Sequence, residues 1–243
     1  MNIKYNVRLK DDIEQFTKRI YYFLFDEKSG DLEFLREKFL VMATTLSIPD
    51  GLQHWKKFEL SIPEIRLQLH RDAKAFEDND PANKCHEEIY LAYPGFYAIA
   101  IHRLSHKLLN LGVRIIPRMM SEYVHGITGI DIHPGATIGA SFFLDHGTGI
   151  VIGETTIINN EVKIYQGVTL GGVHVKKNLA NIKRHPTIED NVVIYANATV
   201  LGGDVVIGAN SIIGANVCVT NSVPPNSVLT YKKEYNIRTK QSE

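Results

Sequence analysis

The chain has 243 residues, 44% of them apolar, which is enough for one large or two modest cores. Lys plus Arg and Asp plus Glu both number 27, so no net charge draws the molecule as a whole to nucleic acid or to a membrane surface. The two cysteines, Cys85 and Cys218, are too few for a disulfide framework or a cysteine zinc site and suit a reducing compartment.

The first stretch, MNIKYNVRLKDD, has no apolar core and does not read as a secretory signal. The longest uncharged apolar run, Ile89–Ile101, is broken by Pro94 and Gly95 and falls short of the ~18 residues of a spanning helix. The expectation is a cytoplasmic protein with neither nucleic acid nor membrane as a partner.

Residues up to about 126 read as helical. Ile13, Phe16, Ile20, Phe23 and Leu24 share one helical face. After a break at Ser29-Gly30-Asp31, the spacing of Leu32, Leu35, Phe39 and Met42 predicts a second amphipathic helix. The 46–60 segment is ambiguous. Ser61-Ile-Pro-Glu64 predicts a capped helix start, with Pro63 tolerated in the first turn. Ile65, Leu69, Ala73 and Phe76 continue that helix to Asp78-Asn79-Asp80-Pro81, where Pro81 disfavours helical geometry at Asp80. Helical spacing returns from Phe96 to Leu109 and stops at Gly112. A short helix is expected over Val113–His125, and Gly126 and Gly129 then lead out of it.

From Asp131 to about Val223 the period changes. A branched apolar residue returns about every sixth position: Ile132, Ile138, Leu144; Ile152, Ile158, Ile164, Leu170; Ile188, Ile194; Leu201, Ile207, Ile213, Val219. Neither a helix nor a paired strand has that period. Six-residue repeats mark a parallel β-helix, each hexad giving one short strand and one turn, with about 18 residues to a triangular coil and roughly five coils here. The fold class is therefore α+β: a helical N-terminal domain (1–126), a parallel β-helix (127–229) and a C-terminal tail (230–243).

The hexads fail in two places. Two extra residues fall within Asp145-His-Gly-Thr-Gly-Ile-Val151, before Ile152. The stretch Gly171–Thr187 abandons the pattern and carries His174, Lys176, Lys177, Lys183, Arg184 and His185. That loop reads either as a solvated excursion or as a basic lid over an anionic cofactor, to which the phosphates of coenzyme A are suited. His146 is a structural histidine or a general base. Asp131, 15 residues earlier and nearly one coil away, is a turn residue or the carboxylate that fixes the tautomer of His146. His133 is expected to bond locally in its turn, and His102, His106 and His125 to be structural.

Four words carry a specific resemblance: Gly-Ile-Asp-Ile-His-Pro-Gly-Ala (129–136), Leu-Asp-His-Gly-Thr-Gly-Ile-Val-Ile-Gly-Glu-Thr (144–155), Gly-Val-Thr-Leu-Gly-Gly (167–172) and Arg-His-Pro (184–186). With Asn79-Asp-Pro-Ala82 and Pro94-Gly-Phe96 they make the chain resemble the serine O-acetyltransferases, hexapeptide-repeat enzymes of cysteine biosynthesis, over roughly 70–228. The resemblance implies a left-handed β-helix and direct acetyl transfer from acetyl-CoA to the hydroxyl of L-serine, with no metal. It implies His146 as the base and Asp131 as its orienting acid. Asp80 and Asp145 would hold the serine ammonium, Arg184 its carboxylate, with His185 in the same pocket and Pro81 shaping the turn. Gly172 and Ala196 would line a CoA groove between neighbouring subunits, and charge suggests Lys176 and Lys177 for the CoA phosphates. A backbone N–H near Gly171–Gly172 would meet the oxyanion. Homotrimers, or dimers of trimers, would be the assembly. The family docks on cysteine synthase through a C-terminal Ile; the last residue here is Glu243, so that complex is not expected.

Three other readings compete: a different acceptor on the same machinery, a metal-dependent lyase or hydrolase like the hexapeptide-repeat carbonic anhydrases using His146, His174 and His185, and a silent scaffold. A zwitterionic acceptor needs both signs of charge, which Asp80, Asp145 and Arg184 supply. Sugars need no such set.

Overall fold

A computed structural model describes residues 6–26, 28, 30–173 and 182–232. His174, Lys176, Lys177 and tail residues 233–243 lie outside the described residues. Seven helices come first among the described residues: α1 (Leu9–Phe25), α2 (Asp31–Thr45), α3 (Gly51–Glu59), α4 (Ile62–Asn79), α5 (His86–Ala92), α6 (Pro94–Asn110) and α7 (Ile115–Thr128). The ambiguous 46–60 segment is helix α3, drawn in by Trp55 and Phe58, both fully buried. Trp55 packs on Phe39 and Phe16, with ring centroids 5.6 and 6.5 Å away. Helix α5 had no counterpart in the sequence reading; it is seven residues long and buries Ile89 alone. Ser61 does not cap α4, because its Oγ donates to the Phe58 carbonyl at 2.6 Å. Helix α7 runs through Gly126, and Gly129, at φ 71°, ends it with the left-handed turn that glycine adopts without steric cost.

The rest is a left-handed parallel β-helix of three sheets. The first stacks β1 (Asp131–Ile132), β4 (Val151–Ile152), β7 (Thr169–Gly171), β10 (Thr199–Leu201) and β13 (Cys218–Val219). The second stacks β2 (Thr137–Ile138), β5 (Ile157–Ile158), β8 (Thr187–Ile188) and β11 (Val206–Ile207). The third stacks β3 (Phe143–Asp145), β6 (Lys163–Tyr165), β9 (Val193–Ile194), β12 (Ile212–Ile213) and β14 (Val228–Leu229). The hexad residues fill the inside, as in the pairs Ile132–Ile152, Ile158–Ile188 and Leu144–Ile164. One position is corrected. Val200, not Leu201, pairs with Leu170 and is fully buried, while Leu201 pairs with Gly171 on the outside. The extra residue of that coil falls in the turn at Gly202–Asp204, after the strand instead of before it.

Coil length records both interruptions. Asp131 pairs with Val151, twenty positions on, and Val151 with Thr169, eighteen on. Thr169 then pairs with Thr199, thirty on, across the basic loop.

The helices are clamped to the first coil. Asp72, fully buried on α4, takes two bonds from Arg103 of α6, at 2.5 and 2.7 Å, and one from the Phe142 amide at 3.0 Å. Arg103 also donates to the carbonyls of Gly139 and Ile138. Phe76 stacks edge-on against Phe143, centroids 4.9 Å apart. Gly95 fits only as glycine, since a Cβ there would lie 2.7 Å from the Leu144 carbonyl oxygen. The end of β3 is thereby fixed against the ends of α4 and α6. No described helix is long and apolar enough to cross a membrane.

Candidate active site

The residues singled out by sequence fall on two different edges of the prism. The first edge joins the third sheet to the first. Its repeating rung is Gly149, Gly167, Asn197 and Asn216, all left-handed, with φ of 80, 72, 60 and 61°. His146 and Gly147, at φ 57 and 89°, are additional to that rung. The Gly147 amide donates to the Asp145 carbonyl at 2.6 Å, so the added pair forms a tight loop. The loop pushes the imidazole outward, leaving the His146 side chain 73% exposed. Beneath it lies Ile130: a Cβ on Gly147 would come within 2.5 Å of Ile130 Cδ1.

Asp145 closes β3 with its Oδ1 3.7 Å from His146 Nε2, an ion-pair distance but longer than a hydrogen bond. Asp131 opens β1, one residue past Ile130, and so lies beside the coil on which the His146 loop rests. No hydrogen bond joins it to His146 among the described residues.

Asp80 follows α4, whose last turns pack on β3 through Phe76. It ends α4 in extended conformation, as the following proline requires. The Tyr93 hydroxyl donates to its Oδ2 at 2.6 Å and the Ala82 amide to its Oδ1 at 2.8 Å. Burial, and then the bond to Asp80, push the Tyr93 hydroxyl up to about 12. Pro81 lies inside a turn closed by the Asn83 amide on the Asp80 carbonyl. Phe76 touches both Tyr93 and Phe143, and so ties the Asp80 turn to the strand that ends in Asp145.

The second edge joins the first sheet to the second, and here the long loop returns. Thr155 anchors it: its Oγ accepts from the amides of Arg184 and His185, at 2.9 and 3.1 Å. The Thr155 amide donates to His185 Nδ1 at 3.0 Å, so the neutral ring carries its proton on Nε2. Burial, reinforced by Arg184, lowers the His185 ring to about 4. The ring lies where a Cβ on residue 153 would be, 2.1 Å from its Cδ2, so Gly153 makes room for it. Arg184 pairs with Glu154. Gly172 lies beneath the Arg184 backbone, whose carbonyl a Cβ would meet at 3.1 Å. Ala196 is on the other edge, two coils beyond His146. His133 does bond within its turn, its Nδ1 accepting from the Gly135 amide, and His106 bonds the Pro134 carbonyl.

One protomer therefore brings Asp145 and His146 to one edge, with the Asp80 turn tied to β3 through Phe76, and Gly172, Arg184 and His185 to the next. The first set can take a proton and hold a cation; the second can hold an anion. Sequence reasoning missed Tyr93, Glu154 and Thr155. Glu154 and Thr155 stood inside a matched word, but their pairing with residues some thirty positions on appears only when coils stack.

No protein-family model matches the chain. Among curated proteins it is 49% identical over 146 residues to a plasmid serine acetyltransferase of Synechococcus elongatus, covering 58% of this chain and 46% of that one. It is 47% identical over 158 residues to the serine acetyltransferase of Mycobacterium tuberculosis, covering 65% and 67%. The match thus spans about half the length of the cyanobacterial relatives. Among solved structures, serine acetyltransferase isoform 3 of Entamoeba histolytica, in complex with cysteine, superposes with a TM-score of 0.81 at 33% identity, covering 95% of this chain and 84% of that one. The Brucella abortus serine acetyltransferase in complex with coenzyme A gives 0.68 at 33% identity, covering 89% and 78%.

Proposed function

This chain belongs to the serine acetyltransferase family, and we propose that it moves the acetyl group of acetyl-CoA to the hydroxyl of L-serine, giving O-acetyl-L-serine and CoA. The observation that carries the reading is the His146 loop: two residues added to a regular coil hold an exposed imidazole beside Asp145, and Phe76 ties the Asp80 turn to the same strand. In the proposed reaction His146 takes the proton of the serine hydroxyl as its oxygen attacks the thioester carbonyl. Collapse of the tetrahedral intermediate expels the CoA thiolate, which takes the proton back from the imidazolium. Asp131 turns the ring toward the substrate. Asp80 and Asp145 receive the ammonium, and Asp80 keeps lone pairs for it beyond those used by Tyr93 and Ala82.

Arg184 receives the serine carboxylate. Its guanidinium is a planar fork of donors matched to a carboxylate, and Glu154 holds it in place. His185, neutral with a proton on Nε2, adds a donor without adding charge. Because these two groups stand on the edge next to that of His146, a complete site requires two copies of the chain. Copies arranged about a threefold axis, with the His146 edge of one against the Arg184 edge of the next, supply it; this supports a trimer as the working unit. Gly172 and Ala196 then face each other across the seam, where small residues leave space for CoA.

Release of CoA thiol from acetyl-CoA in the presence of L-serine, measured against D-serine, homoserine and threonine, tests the reaction. L-serine is expected to be preferred. His146→Ala is expected to lower kcat by at least ~10²-fold with the fold intact. Near-native turnover in that variant would remove His146 from the mechanism.

A further inference from the structure

Tyr165 and Tyr195 lie face to face on the outside of the third sheet, ring centroids 4.9 Å apart and planes 21° from parallel. Register places Tyr165 beside Asp145, and the Lys163–Val193 and Ile164–Ile194 pairs carry Tyr195 beside Tyr165. The two rings therefore continue, coil by coil, the column that begins at Asp145 next to His146. The column stops at Gly214, which follows the Ile213–Ile194 pair. Tyr195 is 40% exposed. Beside the rings, the prism edge carries Gln166, Ala196 and Ala215, and Gln166 Oε1 is buried without a hydrogen-bond partner among the described residues.

On the other side of His146 the way is closed. Helix α7 leads straight into β1, and α4 and α6 pack on β3, with Gly95 against the Leu144 carbonyl. A long, thin donor whose reactive end is at His146 must extend toward the C-terminal coils, past Ala196 and along the tyrosines. Neighbouring strands are about 4.8 Å apart, so Tyr165 and Tyr195 stand about 5 and about 10 Å along the prism from Asp145. That span falls within the length of the extended pantetheine arm of a CoA thioester and ends short of its nucleotide.

We propose that the stacked Tyr165–Tyr195 pair is the wall of the acyl-donor channel and sets affinity for the pantetheine arm. The proposal rests on the acetyl-transfer reading. The ring surfaces cover the methylenes of the arm, while the hydroxyls meet its amides.

Replacing Tyr195 by alanine in the full chain tests it. KM for acetyl-CoA is expected to rise about five- to tenfold, with kcat and KM for L-serine within about twofold of the parent. The same factor is expected with S-acetylpantetheine, which lacks the nucleotide, and in calorimetric binding of CoA. Tyr195→Phe, which keeps the ring, should bind as the parent does. Tyr165→Leu gives a second route to the same readouts should Tyr195→Ala not fold. Unchanged CoA binding in the folded Tyr195→Ala variant, or a loss confined to the nucleotide-bearing donor, overturns the wall and leaves acetyl transfer standing. Failure of the parent protein to bind CoA at all removes the acetyl-transfer reading, and the wall with it.

Discussion

His185 shows how a single residue takes its chemical state from its neighbours. An exposed histidine titrates near 6.5, but burial and Arg184 bring this one to about 4. Between those values the unfolded chain holds a proton that the folded chain does not. Stability from this group is therefore complete above pH 6.5 and is lost as the pH falls toward 4. A histidine-resolved NMR titration is expected to find His185 still neutral at about pH 5; a midpoint at 6.5 would mean that burial and Arg184 do not govern the ring. His185 entered the expected serine pocket through the Arg-His-Pro word. Its tautomer depends on Thr155, thirty positions away, which no local pattern displays.

At the scale of elements, the repeat was legible because the inside of a coil has no alternative to a branched apolar residue every sixth position. Interruptions were legible for the same reason, and their lengths match the coils of twenty and thirty residues. The slip from Leu201 to Val200 arose because the pattern says that a residue has been added but not on which side of a strand. Helix α5 was not legible, since one buried side chain in seven residues leaves no period to detect. Between elements, the Asp72–Arg103 pair joins α4, α6 and the first coil in one buried network. Asp72→Ala strands a buried guanidinium and an unpaired amide, and is expected to destabilise the fold by about 3–5 kcal/mol in denaturant unfolding. A loss under about 1 kcal/mol would show that the apolar contact of Phe76 with Phe143 suffices to hold the docking.

At the scale of the molecule, the proposed site is split. His146→Ala and Arg184→Ala are each expected to be inactive alone. Co-expressed, they should recover about a quarter of wild-type sites, because one seam in four joins an intact His146 edge to an intact Arg184 edge. No recovery in verified mixed assemblies would place both groups in one protomer's site and contradict the threefold arrangement. That division could not be read from the one-dimensional chain, in which His146 and Arg184 are simply two matched words.

The sequence alone determined the solenoid, its interruptions and the family resemblance, because each depends on residue type at short, regular spacing. It also nominated Asp80, Asp131, Asp145, His146, Arg184 and His185. Only the tertiary structure decided which of them stand together. Stacking of coils joined Glu154 to Arg184 and Thr155 to His185, docking of the helices tied the Asp80 turn to β3 through Phe76, and the triangular cross-section separated the basic edge from the acidic one. Those juxtapositions link residues tens of positions apart through backbone geometry, and the His146 loop takes its meaning from them. It is two residues that a regular coil has no room for, and so they project at its edge.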